Sequence, residues 1–311
     1  MANTVVIGVT FVDVKGFSRN KYDPQGRNLG MVKIVHGGVS RNVVENFANV
    51  GMPVSFASML EDSAIGRDVA RRLENAGADL SNIVMADHDG IGMWLVILDE
   101  NGDLAGSISC MPDLEVLEKL FDEQGDRIIS AAENVVLEID MNEKIAERVF
   151  ELAEKYDKNI YAIVGNLSVI LPHREYLQRT DCFICNEIEC GKIFETNVEN
   201  FDPKQMLEFL VPAADKLKIP SIVVTMGALG SVYYDSVSGE KGICPAVPTR
   251  LVDSCGAGDA FFSGTVMALT KGMTLGEAVK YGARLASMTI SCDESSCPVC
   301  PDFFNEQMRL F

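Results

Sequence analysis

The chain has 311 residues, 47% of them hydrophobic, and a formal net charge of −18 from 45 acidic and 27 basic residues. That length supports one large domain or two of ordinary size. Because so acidic a surface repels phosphate backbones and anionic lipids, nucleic acids and membranes are excluded as expected partners. An anionic small substrate would need a local positive field from backbone amides, a metal ion or a few basic side chains.

No apolar run is long enough to span a bilayer, and the N-terminal stretch lacks the basic start of a signal peptide. We therefore expect a cytoplasmic protein whose nine cysteines are mostly free thiols. Two cysteine groups nevertheless contain the C-x2-C spacing of zinc sites: Cys182, Cys185 and Cys190, then Cys292, Cys297 and Cys300. The first C-x2-C falls in a strand-like run, where residues three apart point to opposite faces. The second lies in a turn-rich tail, where metal binding and free thiols both remain open.

Short apolar, partly β-branched runs alternate with helical patterns along most of the chain. The predicted strands are 4–12, 54–60, 134–139, 159–164, 182–185 and 221–226. The predicted helices are 39–50, 64–76, 143–156, 203–217, 257–270 and 274–290. Strands that are apolar throughout are typical of a parallel sheet covered on both sides. The sequence therefore predicts an α/β protein with helices on both faces of a mainly parallel sheet.

Two regions interrupt this alternation. Residues 90–109 predict a hairpin that turns at Asn101-Gly102, and residues 13–34 are non-helical and rich in turn-forming residues. We interpret 13–34 and 90–110 as parts of a small inserted β-sheet lid. Because no linker or repeat divides the chain, we expect one domain over 1–311 that carries this lid. Exposed lid strands have edges that need covering, which favours a homodimer that pairs its lids.

The stretch DSCGAGDAFFSG, residues 253–264, places small residues and an acid at the start of an apolar helix. Gly256, Ala257 and Gly258 leave backbone N–H groups accessible, and the positive end of the helix dipole favours an anion there. Beside such an anion Asp259 would be a poor ligand, but it would be a suitable general base for an attacking hydroxyl. A simple helix cap by Asp259 is the alternative that the spacing leaves open.

Two other loops carry polar groups that suit the same chemistry. In HGGVSRN, Gly37 and Gly38 let a ligand approach the backbone, and Asn42 offers a donor and an acceptor to a hydroxyl. In NEIE, Asn186 and Glu189 supply oxygen atoms that could hold water-bound Mg²⁺. The alternatives are a tight strand–helix turn for the first loop and a helix cap for the second.

A glycine turn in TMGALGSVYYD, residues 225–235, either flanks a nucleotide or closes a hairpin. The chain contains neither a G-x-x-x-x-G-K-[ST] motif nor a G-x-G-x-x-G motif after its first strand. The P-loop and dinucleotide-binding classes are therefore excluded.

Taken in this order, the four stretches resemble the ribokinase-like carbohydrate kinase family, also called the phosphofructokinase-B group, over nearly the whole chain. The most specific element is D-[ST]-x-G-A-G-D, which residues 253–259 match. The resemblance implies a ribokinase-like three-layer α/β/α sandwich. It also implies transfer of the γ-phosphoryl group of ATP, with Mg²⁺, to a primary hydroxyl of a sugar or nucleoside.

The resemblance implies roles for individual residues. Asp259 would be the catalytic base, and the anion hole for the migrating phosphoryl group would be Gly256, Ala257 and Gly258. The substrate would be held by Asp13, Gly37, Gly38, Asn42, Asp140 and Asp259. The nucleotide would lie beside Asn186, Thr225, Gly227, Gly230, Gly256 and Gly258. Asn186 and Glu189 would organise Mg²⁺ through water, and Asp253 begins a loop where family members often bind a monovalent cation such as K⁺.

Within the family, DVKG at 13–16, GGVSRN at 37–42 and DLAGSISCMPD at 103–113 look most like the pseudouridine kinase branch. Phe11 and Cys110 depart from that branch, which commonly has Asn and Asp at these positions. The favoured reaction is therefore conversion of pseudouridine to its 5′-phosphate, with ribose, fructose or an adenosine-like nucleoside as alternative substrates. A non-catalytic ligand sensor on the same fold is the alternative from another class, although a sensor would not need a general base.

Overall fold

The computed structural model describes residues 4–305. The strands are β1 (Thr4–Ile7), β2 (Phe11–Ser18), β3 (Gly30–Gly37), β4 (Val54–Glu61), β5 (Asp79–Ala86), β6 (Gly92–Leu98), β7 (Leu104–Cys110), β8 (Asn134–Glu138), β9 (Asn159–Ile163), β10 (Cys182–Asn186), β11 (Ser221–Thr225), β12 (Ser231–Asp235) and β13 (Lys241–Cys244). The helices are α1 (Val39–Asn49), α2 (Ala64–Ala76), α3 (Glu115–Ala131), α4 (Glu143–Lys155), α5 (Glu187–Ile193), α6 (Pro203–Leu217), α7 (Ala257–Leu269) and α8 (Leu275–Thr289).

The larger sheet has nine strands in the order β13-β12-β11-β10-β9-β8-β1-β4-β5. All neighbours from β11 to β5 are parallel, and β12 and β13 extend one edge as an antiparallel hairpin. Helices α1, α2, α7 and α8 bury their apolar residues on one face, and α3, α4, α5 and α6 do so on the other. The predicted three-layer α/β/α sandwich is thus confirmed, and its parallel strands bring their carboxyl ends to one edge.

The smaller sheet has four strands in the order β3-β2-β6-β7. Its outer pairs are antiparallel, and its central pair is parallel, from Phe11 opposite Gly92 to Phe17 opposite Leu98. The predicted hairpin is confirmed, because β6 and β7 pair across the turn that contains Asn101. The regions 13–34 and 90–110 therefore contribute to one small sheet.

The prediction of a single strand over 4–12 is wrong. The strand stops at Ile7, and after a short break β2 begins at Phe11 in the other sheet. Gly8 lies in this break, and a Cβ there would lie 1.8 Å from Ser40 Oγ, so glycine is required where the chain passes the start of α1. One apolar run in the sequence therefore serves two sheets.

The cysteines of the first C-x2-C lie in β10 and point to opposite sides of the large sheet. Cys182 packs into the core beneath α1, α2, α7 and α8, whereas Cys185 packs into the core on the other face. In the C-terminal group, Cys297 is buried and its N–H donates to Asn46 Oδ1 of α1 at 2.7 Å. Within residues 4–305, no three His, Cys, Asp or Glu side chains form a group that could hold a metal ion.

No helix in the described part of the chain is both long enough and apolar enough to cross a membrane.

Candidate active site

The loop before α7 leaves Gly258 exposed at the start of that helix, while the Ala257 N–H donates to the Ser254 carbonyl at 3.3 Å. Gly256 has φ +75°, and a Cβ there would lie 1.9 Å from the Ser295 carbonyl oxygen, so the fold requires glycine at this position. A Cβ on Gly258 would meet no atom within 4 Å. The N–H groups of a helix's first turn have no partner within the helix. This end of α7 is therefore an open, positively polarised surface that suits an anion.

Asp259 lies in the first turn of α7 and contacts a residue that is 217 positions away in the sequence. The Nδ2 group of Asn42, in α1, donates to Asp259 Oδ2 at 2.7 Å. Asn42 is only 6% exposed and Asp259 is half-buried, so this hydrogen bond lies at the boundary of the protein interior. The structure thus brings together the predicted base and a predicted substrate residue, and the Asp259 carboxylate bonds to another helix rather than serving only as a cap.

The pKa of Asp259 is raised to about 7, first because surrounding protein removes water from the carboxylate. The carboxylates of Glu138 and Glu189 raise it further, while the Asn42 hydrogen bond and the Arg41 charge lower it. A carboxylate whose pKa lies near neutral pH can both accept and release a proton. Such a perturbed acid in a cleft is typical of a catalytic site.

Arg41 orients the Asn42 side chain, a role that sequence reasoning missed. Its buried guanidinium donates to Asn42 Oδ1 and to the His36 carbonyl, and it pairs with Glu45 one turn further along α1. Because the amide oxygen of Asn42 accepts from Arg41, its NH₂ group is turned towards Asp259. The sequence GGVSRN shows an arginine next to Asn42, but it does not show that the guanidinium group of this arginine points back to the Asn42 amide.

Asp13 lies on β2 against the start of α1. A Cβ on Gly37 would lie 2.9 Å from Asp13 Oδ1, so Gly37 makes room for this carboxylate. Gly38 has φ +96°, and a Cβ there would lie 2.8 Å from the Phe11 backbone nitrogen. Burial raises the pKa of Asp13, while the charges of Lys15 and Arg41 lower it in part. Asp13, Gly37, Gly38 and Asn42 therefore lie together, as the resemblance implied.

Glu138, at the end of β8, is a second residue that sequence reasoning missed. Its Oε2 accepts from Ser40 Oγ at 2.7 Å and from the Val9 N–H at 3.2 Å. The side chain is fully enclosed, which raises its pKa. Glu138 connects β8 to α1 and to the turn after β1. Its negative charge raises the pKa of Asp259. The available signal was an acid at the end of an otherwise apolar strand, NVVLE.

Asp140 follows β8 and is almost completely buried. Its Oδ1 accepts from the N–H groups of Val169 and Ile170, each at 3.2 Å, and so it anchors the loop that follows β9. Its Oδ2 has no hydrogen-bond partner among residues 4–305. Burial raises the pKa of Asp140 to about 7, with a smaller contribution from Glu189. The Asp140 carboxylate is therefore close enough to Glu189 for the two charges to interact.

Asn186 and Glu189 form a capping box at the start of α5. Asn186 Oδ1 accepts from the Glu189 N–H at 2.9 Å, and Glu189 Oε2 accepts from the Asn186 N–H at 2.8 Å. The alternative of a helix cap is therefore realised, and it also holds both side chains at a cavity of about 480 Å³. Burial raises the pKa of Glu189, so a nearby cation would stabilise its ionised form. Hard oxygen donors of this kind fit Mg²⁺ held through water.

Thr225 ends β11 and pairs in register with Asn186 of β10, so the two lie side by side at the carboxyl edge. Gly227 has φ +53°, and a Cβ there would meet no atom within 4 Å. Gly230 has φ +95°, and a Cβ there would lie 2.1 Å from the Cys244 carbonyl. The segment is a hairpin between β11 and β12. Gly230 is required by that hairpin, whereas Gly227 leaves backbone open beside Asn186 and Thr225.

An α/β/α sandwich with an open helix N-terminus for an anion and a carboxylate poised beside it has the features of a phosphotransferase with an alcohol group as acceptor. Residues 1–299 match the model of the pfkB family carbohydrate kinases. The chain belongs to this family, which confirms the resemblance based on residues 253–259.

Named relatives and solved structures agree with this assignment. A guanosine-inosine kinase of Exiguobacterium acetylicum is 33% identical over 298 residues, covering 95% of this chain and 96% of that protein. The pseudouridine kinase of Escherichia coli (strain K12) is 23% identical over 296 residues, covering 94% and 92%. The structure of Arabidopsis thaliana ribokinase complexed with ribose and ATP has a TM-score of 0.83 at 20% identity, covering 98% of each chain. The protein is therefore a sugar or nucleoside kinase.

Proposed function

We propose that the protein transfers the γ-phosphoryl group of ATP to the 5′-hydroxyl of a nucleoside in the cytoplasm. The hydrogen bond between Asn42 and Asp259 at the open end of α7 carries this proposal. In the reaction the hydroxyl oxygen forms a bond to the γ-phosphorus, and the bond from that phosphorus to the bridging β-phosphate oxygen breaks. Asp259 takes the hydroxyl proton, and ADP leaves.

The remaining residues position the reactants. The N–H groups of Gly256–Gly258 donate hydrogen bonds to the oxygens of the transferring phosphoryl group, and the nucleotide extends past Thr225 and Gly227. Asn186 and Glu189 would hold Mg²⁺ through water, and the ion would supply positive charge for the phosphate oxygens. Asp13 accepts hydrogen bonds from the sugar hydroxyls.

Two aromatic side chains favour a nucleoside over a simple sugar. Phe11 and Trp94 belong to neighbouring strands of the small sheet, and Trp94 pairs in register with Asp13. Because alternate residues of a strand share a face, Phe11, Asp13 and Trp94 all lie on one face. A Cβ on Gly92 would lie 2.5 Å from the Phe11 ring, so glycine makes room for that ring. Aromatic surface beside the sugar-binding acid suits the stacking of a nucleobase.

We propose guanosine or inosine as the first acceptor, because the guanosine-inosine kinase is similar at 33% identity over 95% of this chain. Pseudouridine, which the motifs at 13–16 and 37–42 favour, is the second candidate. A coupled assay of ADP release should compare guanosine, inosine, pseudouridine, adenosine, ribose and fructose. Turnover of ribose or fructose alone would reject a nucleoside kinase. Tight binding of one compound without turnover of any would instead indicate a ligand sensor.

We also propose a monovalent cation beside the loop that begins at Asp253. The N–H of Cys255 donates to Asp253 Oδ1 at 2.9 Å and lowers the pKa of Asp253, so this carboxylate stays ionised. A K⁺ ion there would offset negative charge close to the phosphoryl group. Replacing K⁺ with choline at constant ionic strength is the test, and equal turnover in both would reject the proposal.

We further propose that the chain works as one kinase domain over 1–311, with the small sheet as its lid, and that two lids pair in a homodimer. The lid face opposite Asp13 carries a row of aliphatic side chains on β3, β6 and β7. Val32, Ile34, Leu95 and Ile108 are 69%, 62%, 40% and 69% exposed. So large an apolar patch needs a partner surface, and a second copy of the same sheet would bury it.

The double substitution Ile34→Asp with Ile108→Asp is expected to give a monomer, because both carboxylates would be buried between the lids. Light scattering coupled to size-exclusion chromatography measures the mass. Val237→Asp is the matched control, since Val237 is 84% exposed and lies on the large sheet's edge hairpin. A wild-type monomer, or an unchanged dimer in the double variant, would reject pairing through the lid.

A further inference from the structure

Lys15 connects the small sheet to the loop that opens α7. It follows Asp13 by two residues on β2, so both side chains lie on the same face of that sheet. Its ammonium nitrogen lies 3.3 Å from Cys255 Sγ, a contact between residues 240 positions apart. A basic side chain on the small sheet thus reaches the segment that precedes Gly256.

The thiol is a weak partner for this ammonium group. Burial raises the pKa of Cys255, so the thiol is neutral at pH 7 and supplies no counter-charge. The positive charge of Lys15 lowers the pKa of Asp13 and of Asp253, so it lies near both carboxylates. Among residues 4–305, however, no ion pair within 4.0 Å includes Lys15. The positive charge of Lys15 therefore lies beside the loop of residues 253–256 without a direct ionic partner.

The surroundings of the loop are strongly acidic. Besides Asp13 and Asp253, four further carboxylates act electrostatically on one another or on the site's basic groups: Glu138, Asp140, Glu189 and Asp259. Arg41 also lies close by, but its guanidinium is committed to Asn42, Glu45 and the His36 carbonyl. A phosphoryl group that enters this site therefore meets negative charge on several sides. The ammonium group of Lys15 is the basic group available to bind it.

We propose that Lys15 is a catalytic residue whose ammonium group binds a peripheral oxygen of the phosphoryl group during transfer, a step that rests on the proposed nucleoside kinase function. The ammonium group leaves its contact with the Cys255 thiol and donates a hydrogen bond to this oxygen instead. The N–H groups of Gly256–Gly258 bind the phosphoryl group from the other side. Charge on the three peripheral oxygens is then stabilised by a cation and by backbone dipoles together.

The same contact links acceptor binding to phosphoryl transfer. Asp13 and Lys15 belong to one strand, so a sugar that bonds to Asp13 also fixes the distance of Lys15 from the loop. With the small sheet lifted away, the phosphoryl group would lose this cation. Transfer to water in the absence of acceptor is disfavoured for that reason.

The variant Lys15→Met keeps the length of the side chain and removes the charge. We expect kcat to fall by at least about 100-fold and the KM values for ATP and nucleoside to stay within about threefold. Lys15→Arg should recover at least about tenfold of that loss, because it restores a donor with a positive charge. Lys21→Met, in the exposed turn after β2, removes an equal charge from the same sheet and should keep wild-type kinetics.

A binding measurement separates this role from the proposed function. Calorimetry should show that Lys15→Met binds ADP like the wild type but binds ADP with aluminium fluoride, a mimic of the transferring phosphoryl group, at least about tenfold more weakly. Equal affinities for the mimic, or a kcat within threefold of wild type, would overturn the proposal. So would a loss confined to the KM for nucleoside. A wild-type protein that phosphorylates no nucleoside would reject the proposed function, while the comparison of ADP with its aluminium fluoride complex would still test Lys15.

Discussion

Replacing Asp259 with Asn is expected to lower kcat by at least about 100-fold while nucleotide affinity changes little. The amide keeps the shape of the side chain, but it cannot accept the hydroxyl proton. Steady-state kinetics give kcat, and calorimetry with ADP gives the affinity. Asp181→Asn is the matched control, because loss of water around this carboxyl also raises its pKa and it accepts from the Ile160 N–H at 2.7 Å. Asp181 immediately precedes β10 and so lies at the amino ends of the parallel strands, away from the site at their carboxyl ends. Asp181→Asn should therefore keep full turnover.

The pH dependence of the wild type tests the same role. Because Asp259 acts when deprotonated and its pKa is raised to about 7, kcat/KM should rise with pH up to about 7 and then level off. Below that pH the protonated carboxylic acid accumulates and cannot accept a proton. Asp259→Asn should lose this acid limb in its residual activity. A wild-type rate that stays flat down to pH 5.5 would mean that Asp259 is not the base.

Alanine at Gly258 and at Gly256 should affect activity and stability in opposite ways. A methyl group on Gly258 meets no protein atom within 4 Å but enters the space where the phosphoryl group must lie. We expect Gly258→Ala to lower kcat/KM for ATP by about 100-fold and to leave Tm within about 2 °C of the wild type, since alanine favours a helix.

Gly256→Ala forces a Cβ to 1.9 Å from the Ser295 carbonyl at a φ of +75°. We expect Gly256→Ala to lower the free energy of unfolding by about 2 kcal/mol or more, which would appear as a lower Tm. Thermal denaturation and initial rates measured on both variants separate the two effects. Full activity in Gly258→Ala would show that no phosphate approaches these amides.

Local pattern was sufficient for the parallel α/β class of the large sheet, although its strands β5 and β13 were not predicted. Six helices were predicted to within about two residues of their observed ends, because most have an apolar stripe, α7 is apolar along its length, and capping or glycine signals mark the ends. Helix α3 was not predicted, although Leu117, Leu120, Phe121 and Ile128 have helical spacing and are buried. The small sheet was predicted from the lack of helical periodicity, but its strand order was not, since pairing depends on distant residues.

Short motifs and full-length similarity point to different acceptors within the family. Residues 13–16 and 37–42 resemble the pseudouridine kinase branch, whereas the guanosine-inosine kinase is 33% identical to this chain and the pseudouridine kinase 23%. Phe11 and Trp94, the nucleobase contacts that we propose, lie outside both motifs. Those positions become neighbours only through the pairing of β2 with β6.

The sequence by itself determined the α/β class and, through the D-[ST]-x-G-A-G-D motif at residues 253–259, the resemblance to the carbohydrate kinase family, because both depend on contiguous patterns of apolar, glycine and acidic residues. Only the tertiary structure decided that Asn42 meets Asp259, that Arg41 turns the Asn42 amide towards it and that Glu138 adds its charge. The same holds for Lys15, which reaches Cys255 from another sheet. A pKa near 7 depends on burial and on charges brought together from distant parts of the chain, so folding creates it and no local motif encodes it.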